Sequence, residues 1–203
     1  MKRKMAMRFV SGLVLLASSC ISTTRSEEIK KDNLAETQFT KLREHAHALK
    51  EFARSHKAST QLAILVDMSL PSWKKRMFTV NLQNDSVLIS GICAHGQCDD
   101  YTKEDVKFSN VPGSNCTAQG RYRIGGKYSG QYGQAYKLFG LDSTNSNAFN
   151  RVIVYHYYSC VSDFEDSTVC RSNGCPMVSP NVFNETAKLL DASSRPVLMW
   201  IYK

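Results

Sequence analysis

Leu62-Ala-Ile-Leu-Val-Asp-Met-Ser69 is a short run of branched aliphatic residues that stops at polar ones. Its length and β-branched content suit a strand better than a helix. Similar runs follow at close intervals: Arg76 to Leu82 (RMFTVNL), Ser86 to Cys93 (SVLISGIC), Tyr122 to Gly126 (YRIGG), Ala135 to Leu141 (AYKLFGL), Arg151 to Tyr158 (RVIVYHYY) and Val197 to Tyr202 (VLMWIY). The segments NDS, PGSN, GGK, SGQYG and DSTNSN punctuate them as turns. A mainly β domain over residues 61–203 is the consequence. Asn181 to Leu190 (NVFNETAKLL) supports one short helix, after which Pro196 to Tyr202 returns as a buried strand. No internal repeat or low-complexity tract interrupts the chain.

Upstream the pattern changes. Residues 26–56 are charged, with Ile29, Leu34, Phe39, Leu42, Ala46, Leu49 and Phe52 mostly three or four apart, which predicts one amphipathic helix, broken early, within an N-terminal helical segment or linker over 20–60. Its histidines, His45, His47 and His56, are expected on solvated faces rather than as metal ligands. Residues 1–19 read as an export signal: basic MKRKMAMR, apolar FVSGLVLLA, then Ser18-Ser19 before Cys20. The apolar stretch falls well short of the ~20 residues that span a bilayer. Small residues before Cys20 allow two readings, a lipidated N-terminal cysteine or ordinary cleavage with Cys20 incidental. Either way the protein is expected outside the cytoplasm, in the periplasm or cell envelope, and touches a membrane only through a lipid anchor on Cys20.

The 203 residues carry a formal charge of +8, of which residues 1–19 hold four basic groups and no acid. The mild basicity that remains favours anionic surfaces such as cell-wall polymer. Lys/Arg clusters with interleaved aromatics are missing, so nucleic acid is not an expected partner. Seven cysteines, at 20, 93, 98, 116, 160, 170 and 175, suit disulfides in an oxidising compartment. With Cys20 lipidated and Cys175 kept as a reactive thiol, five remain, leaving one unpaired or several as small buried hydrophobes. Cys93, His95 and Cys98 are close enough to suggest zinc, but no second ligand pair follows at zinc-finger spacing, and no metal is expected.

Chemistry concentrates near the C-terminus. His156 ends a strand-like run, and Arg171-Ser-Asn-Gly-Cys175-Pro follows at a distance that lets a loop return the cysteine beside the imidazole. A thiol attacks a carbonyl only once deprotonated, and a partner histidine supplies that base. Gly174 leaves room for a substrate at the backbone, and the Cys175 N–H can face a developing oxyanion. A buried cysteine and a satisfied core histidine give the same spacing.

A longer series of motifs weighs between the two. Val66-Asp-Met-Ser-Leu-Pro-Ser-Trp-Lys-Lys-Arg76, Ala94-His-Gly96, Phe108-Ser-Asn-Val-Pro-Gly-Ser114, Gly120, Gly125, Tyr128-Ser-Gly130, Gly140-Leu-Asp142, Asn145, Asn147, Ala148 and Arg151 lead in order to His156 and Cys175. From about Ala63 to Tyr202 the chain resembles the catalytic domain of the murein L,D-transpeptidases, YkuD-like proteins, in the branch whose cysteine motif reads Ser-x-Gly-Cys-Pro.

The resemblance implies an L,D-transpeptidase-like β-sandwich or barrel with a few short helices, preceded by the N-terminal amphipathic helix. It implies that Cys175 attacks the L-to-D bond of a peptidoglycan stem peptide, that His156 is general base and later acid, and that the Tyr157 carbonyl orients the imidazole. Tyr157 stands where this branch usually has glycine, which is tolerable if the position needs no positive φ. Ser172 is expected to brace the nucleophile loop. Arg171 is expected to meet a substrate carboxylate or favour the thiolate, with a solvated surface charge as the alternative. Asn173 replaces a tryptophan or histidine in the substrate wall. His95 is expected to bond a backbone carbonyl at a strand end, and the tyrosines at 128, 132, 155, 157 and 158 to line a groove or lie half-buried. No cofactor is needed. Transfer to an amine would cross-link; transfer to water would make an L,D-carboxypeptidase or murein hydrolase. The contrasting expectation is a non-catalytic wall-binding lipoprotein on the same fold.

Overall fold

A computed structural model describes residues 18–98, 105–165 and 169–203, with the backbone course only for 18–35. The export signal over 1–19 and the Cys20 side chain therefore lie outside what is described. Two units are distinguished, Met1–Lys41 and Leu42–Lys203. Of the first, what is described is chiefly the course of helix α1 (Ser18–Ser55), which is continuous rather than broken early. Among the described residues no helix is long and apolar enough to cross a membrane.

The second unit takes in residues 42–60 as well as 61–203. Within it Leu42, Ala46, Leu49 and Ala53, spaced four, three and four apart, form a buried stripe. That stripe packs with Ala63, Leu65, Val80, Leu82, Leu198 and Tyr202. His45 departs from its expected solvation. It is half-buried, its ring stacked on Tyr202 at 3.7 Å between centroids. His47 and His56 are exposed, His47 bonding the Asp85 carboxylate at 3.0 Å.

Eight strands form one sheet: β1 (Leu62–Asp67), β2 (Lys75–Asn81), β3 (Ser86–Ile92), β4 (Gly120–Gly130), β5 (Gly133–Gly140), β6 (Val154–Tyr157), β7 (Met177–Val178) and β8 (Leu198–Tyr202). Their order is β3-β2-β1-β8-β4-β5-β6-β7, antiparallel except for β1 with β8 and β6 with β7. Every residue of β1 is buried. Alternation explains the apolar run: Ala63 and Leu65 face the α1 cluster while Ile64 and Val66 face the larger core. The chain beyond β3 then meets the other edge, Ala94 bridging Met177 and Gly96 bridging Ser172, so the sheet nearly closes.

Helix α2 (Pro180–Ala192) starts where the Ser179 hydroxyl accepts the Val182 N–H at 3.2 Å, with proline at its first position. It buries Phe183, Thr186, Ala187 and Leu190. Phe183 meets Tyr136, Tyr155 and Tyr157, so one face of β6 belongs to the core. The opposite face is left for His156. Gly140 is required by contact, since a Cβ there would lie 1.9 Å from the Asn145 carbonyl oxygen.

If residues 42–55 are integral to this unit, Leu49→Ala removes about 3 kcal/mol of stability and lowers the melting temperature by roughly 6–12 °C. Exposed Glu51→Ala should change it little. Calorimetry of both variants measures the contrast.

Candidate active site

Two neighbouring elements build the site. β6 carries His156 on the face turned away from Phe183, and β7 pairs parallel to it, His156 opposite Met177. Cys175, two residues before Met177, is thereby brought level with Val154. The two side chains line one cavity of about 570 Å³, together with Tyr132, Tyr158, Cys160, Cys170, Arg171, Ser172, Asn173 and Met177.

The imidazole is fixed by its backbone. Nδ1 lies 3.0 Å from the Tyr157 carbonyl oxygen, an acceptor, so Nδ1 carries the proton and Nε2 of the neutral ring is left as a base. Burial pulls the His156 pKa down, and the bond to Tyr157 opposes that pull. Tyr157 does not have positive φ, so replacing glycine there costs no left-handed strain. The Tyr132 ring lies 6.0 Å from the imidazole, nearly parallel to it, and meets Tyr158 edge-on at 5.7 Å.

Cys175 is half-buried, and its sulfur is held by backbone rather than by the imidazole. Sγ accepts from the Val154 N–H at 3.5 Å and donates to the Val152 carbonyl at 3.7 Å. Burial pushes the thiol pKa up, while the Val154 N–H and the Arg151 charge work against the rise. A raised thiol beside a lowered imidazole is a neutral pair at rest, not a thiolate and an imidazolium.

Ser172 braces the loop that leads to Cys175. Its hydroxyl donates to the Cys175 carbonyl at 2.6 Å and accepts from the Gly174 N–H at 3.1 Å. Its backbone bonds His95 O at 2.9 Å and Gln97 N at 2.8 Å. Asn173 accepts from the Gln97 side chain at 2.8 Å. At Gly174 φ is +116°, and a Cβ would meet Cys116 O and Ile153 Cδ1, both at 2.8 Å. Arg171 borders the cavity and donates to Val169 O at 2.8 Å. The positive charge that works against the rise of the thiol pKa is that of Arg151, which the motif series includes without a role.

His95 is buried, with Nδ1 2.8 Å from the guanidinium of fully buried Arg76, which also donates to Cys93 O at 2.8 Å. Cys98 pairs with Cys116 and Cys160 with Cys170, so Cys98 is not a zinc thiolate. Cys93 and Cys175 are free, Cys93 being buried and pushed up to about 12. Of the five tyrosines, 132 and 158 border the cavity, 155 and 157 pack on Phe183, and 128 lies in β4.

With this fold, the chain belongs to the L,D-transpeptidase catalytic domain family, whose sequence pattern it matches over residues 33–202. Among solved structures it is similar to the helical cell shape determining protein Pgp2 from Campylobacter jejuni, at 13% identity and TM-score 0.48 over 70% of this chain and 47% of that one. It is also similar to an L,D-transpeptidase from Xylanimonas cellulosilytica, at 14% identity and TM-score 0.39 over 71% and 62%. Mycobacterium tuberculosis L,D-transpeptidase 1 is similar at 13% identity and TM-score 0.34 over 69% and 60%. The chain thus spans only 47% to 62% of the lengths of these proteins. No curated protein matches the sequence significantly.

Two outcomes follow from the sulfur chemistry. Peptide mapping without reductant should recover Cys98 linked to Cys116 and Cys160 to Cys170, with Cys175 alkylated and Cys93 modified only after unfolding. Because the folded Cys175 pKa is raised, its alkylation should be slow at neutral pH and climb as pH passes the ordinary thiol range; a plateau already reached in mild acid would contradict the neutral pair.

Proposed function

We propose that the protein is an exported, cysteine-dependent peptidoglycan L,D-transpeptidase that acts on murein stem peptides through a thioester. The observation that carries this reading is one cavity containing both an accessible thiol and an imidazole whose basic Nε2 is left available by the Tyr157 carbonyl. Membership in the transpeptidase family supplies the substrate class.

In the proposed cycle a donor stem enters the cavity with its L-to-D peptide carbonyl over Cys175. Val154 and His156 are two residues apart on one strand face, a rise of roughly 6.6 Å. Rotation of the Cys175 side chain away from the Val152 carbonyl brings Sγ toward Nε2. His156 takes the thiol proton as sulfur attacks the carbonyl, and the Cys175 N–H is the proposed donor to the oxyanion. His156 returns the proton to the leaving amine of the D-residue, whose C–N bond breaks to leave the thioester. An acceptor amine then attacks the thioester, His156 receiving the amine proton and returning it to sulfur. Water in the amine's place gives hydrolysis instead. These steps need no cofactor.

Ser172 and Gly174 hold the nucleophile loop in this reading. Arg171 faces a substrate carboxylate, and Asn173 forms part of the wall. Among the described residues, the side chains lining the cavity include the cation Arg171 and no carboxylate, which favours an anionic peptide. The chain is proposed to act in the periplasm or cell envelope, with Cys20 as either a lipid anchor or an incidental residue. One observation favours the contrasting reading, a wall-binding protein without catalysis: the sulfur rests on backbone groups rather than on the base.

Incubation with a carbapenem or a tetrapeptide donor separates the two. Intact-mass analysis under reducing conditions should show a covalent adduct that is lost in Cys175→Ala and forms roughly 10²–10⁴ times more slowly in His156→Ala. No adduct on the parent protein, with binding to sacculi retained, would leave the non-catalytic reading standing.

A further inference from the structure

The geometry points to Arg151 as a positioning residue for the nucleophile: its guanidinium ties the 109–116 loop beneath Gly174 and holds a positive charge against the residue that precedes Cys175. The inference rests on Cys175 being the reacting thiol of the proposed function. It adds a residue that neither the cysteine motif nor the cavity lining includes.

Three contacts fix the guanidinium. Nη1 donates to Ser109 O at 2.6 Å, and Nη2 donates to Cys116 O at 2.6 Å and to Ser114 Oγ at 3.3 Å. All three acceptors are neutral oxygens, so these bonds hold the group in place without cancelling its charge. The same corner carries the nucleophile loop, because a Cβ at Gly174 would lie 3.3 Å from Arg151 Nη2 and 2.8 Å from Cys116 O. Cys116 is in turn tied to Cys98 by a disulfide, and the Cys98 N–H bonds Asn115 O at 3.2 Å. Arg151 therefore stands between a cross-linked loop and the residue preceding the sulfur.

Its backbone leads directly to the groups that grip the thiol. Arg151 N–H bonds Asn147 O at 2.9 Å, and the next residue, Val152, has φ +57°, a conformation rare for a β-branched side chain. Val152 offers its carbonyl to Sγ, and Val154 its N–H. A strained valine persists only where its neighbours over-determine it, and Arg151 on one side with Ile153 N–H bonded to Ala148 O at 2.9 Å on the other do so here.

The charged and titratable groups around the sulfur are Arg151, Tyr122 of β4, His156 of β6, Tyr132 and Tyr158 at the cavity mouth, and Arg171 on its own loop. Tyr122 is held neutral by burial. Burial also draws Arg151 down, and the nearby Cys175 opposes that shift, the reciprocal of what Arg151 does to the thiol. A partly desolvated cation acts more strongly on a neighbouring sulfur than one in open water.

The test is the pH profile of iodoacetamide alkylation at Cys175, read by peptide mass for the full chain, in the parent, Arg151→Gln and Arg151→Lys. Gln keeps a hydrogen-bond donor without the charge; Lys keeps the charge without the fork. The expected result is that Arg151→Gln alkylates roughly three- to tenfold more slowly at neutral pH with its midpoint moved up, while Arg151→Lys keeps the parental midpoint even if its melting temperature falls. Repeating the pair in a His156→Gln background removes the imidazole's own titration and should leave the difference in place. A folded Arg151→Gln variant with the parental profile, or an Arg151→Lys variant slowed as much as Gln, overturns the assignment. Should Arg151→Gln not fold, the Arg151→Lys profile decides alone, parental in support and slowed against. Alkylation needs neither donor nor acceptor peptide, so failure of transpeptidase activity leaves this measurement intact.

Discussion

The hydrogen bonds between the segment 94–97 and the chain 172–177 govern the architecture around the thiol. Ala94 N bonds Met177 O at 2.8 Å, Gln97 N bonds Ser172 O at 2.8 Å, and Ser172 N bonds His95 O at 2.9 Å. These contacts join the two edges of the sheet and place the nucleophile loop across the seam. Gly96 shows how close the approach is, since a Cβ there would lie 2.3 Å from the Asn115 carbonyl oxygen. With the seam closed, β7 need only be two residues long to hold Cys175 level with β6. The Ser172 hydroxyl then completes the loop internally, accepting from Gly174 and donating to Cys175.

Such a seam sets the surroundings of the thiol. A loop fixed on both sides delivers the sulfur to whichever polar groups the adjacent strand offers, and here those are the Val154 N–H and the Val152 carbonyl. Desolvation disfavours the thiolate and the imidazolium alike, so neither forms until something replaces the lost solvation. In the proposed cycle a bound peptide carbonyl would give the proton a reason to move, the Cys175 N–H being the proposed donor to the charge developing on its oxygen. A protonated thiol also resists oxidation, since reactivity follows thiolate character.

Much of this was legible in the sequence, for identifiable physical reasons. Strands buried on both faces read as continuous apolar runs, so β1 and β8 stood out, and the apolar stripe of α1 with the pattern of α2 gave both helices. Ser172, Asn173, Gly174 and Cys175 are consecutive, so their juxtaposition needed no fold at all. What sequence could not express were contacts across long separations. Arg151 meets Ser109 and Cys116 through loops without regular structure, and Arg76 meets His95 inside the core. Disulfide pairing was open for the same reason, because spacing alone does not say that Cys98 lies under Cys116. β7 was invisible, two residues being too few to show a period. At Gly174 the close approach of Cys116 O and Ile153 to a would-be Cβ was not legible, since those neighbours come from distant parts of the chain.

His45 shows the same limit on α1. Its heptad-like neighbours mark the buried stripe, yet a ring beside that stripe stacks on Tyr202 because β8 ends there, and β8 is more than 150 residues away in sequence. The stripe and the stacked ring lie on the Ala63–Leu65 face of β1, while the Ile64–Val66 face packs into the core that Phe183 shares with Tyr155 and Tyr157. β1 thus relays both sides of the sheet. The thiol sits at the far edge of the strand order, where the seam to the segment after β3 closes it. Its position is set by local hydrogen bonds at the seam rather than by the helix.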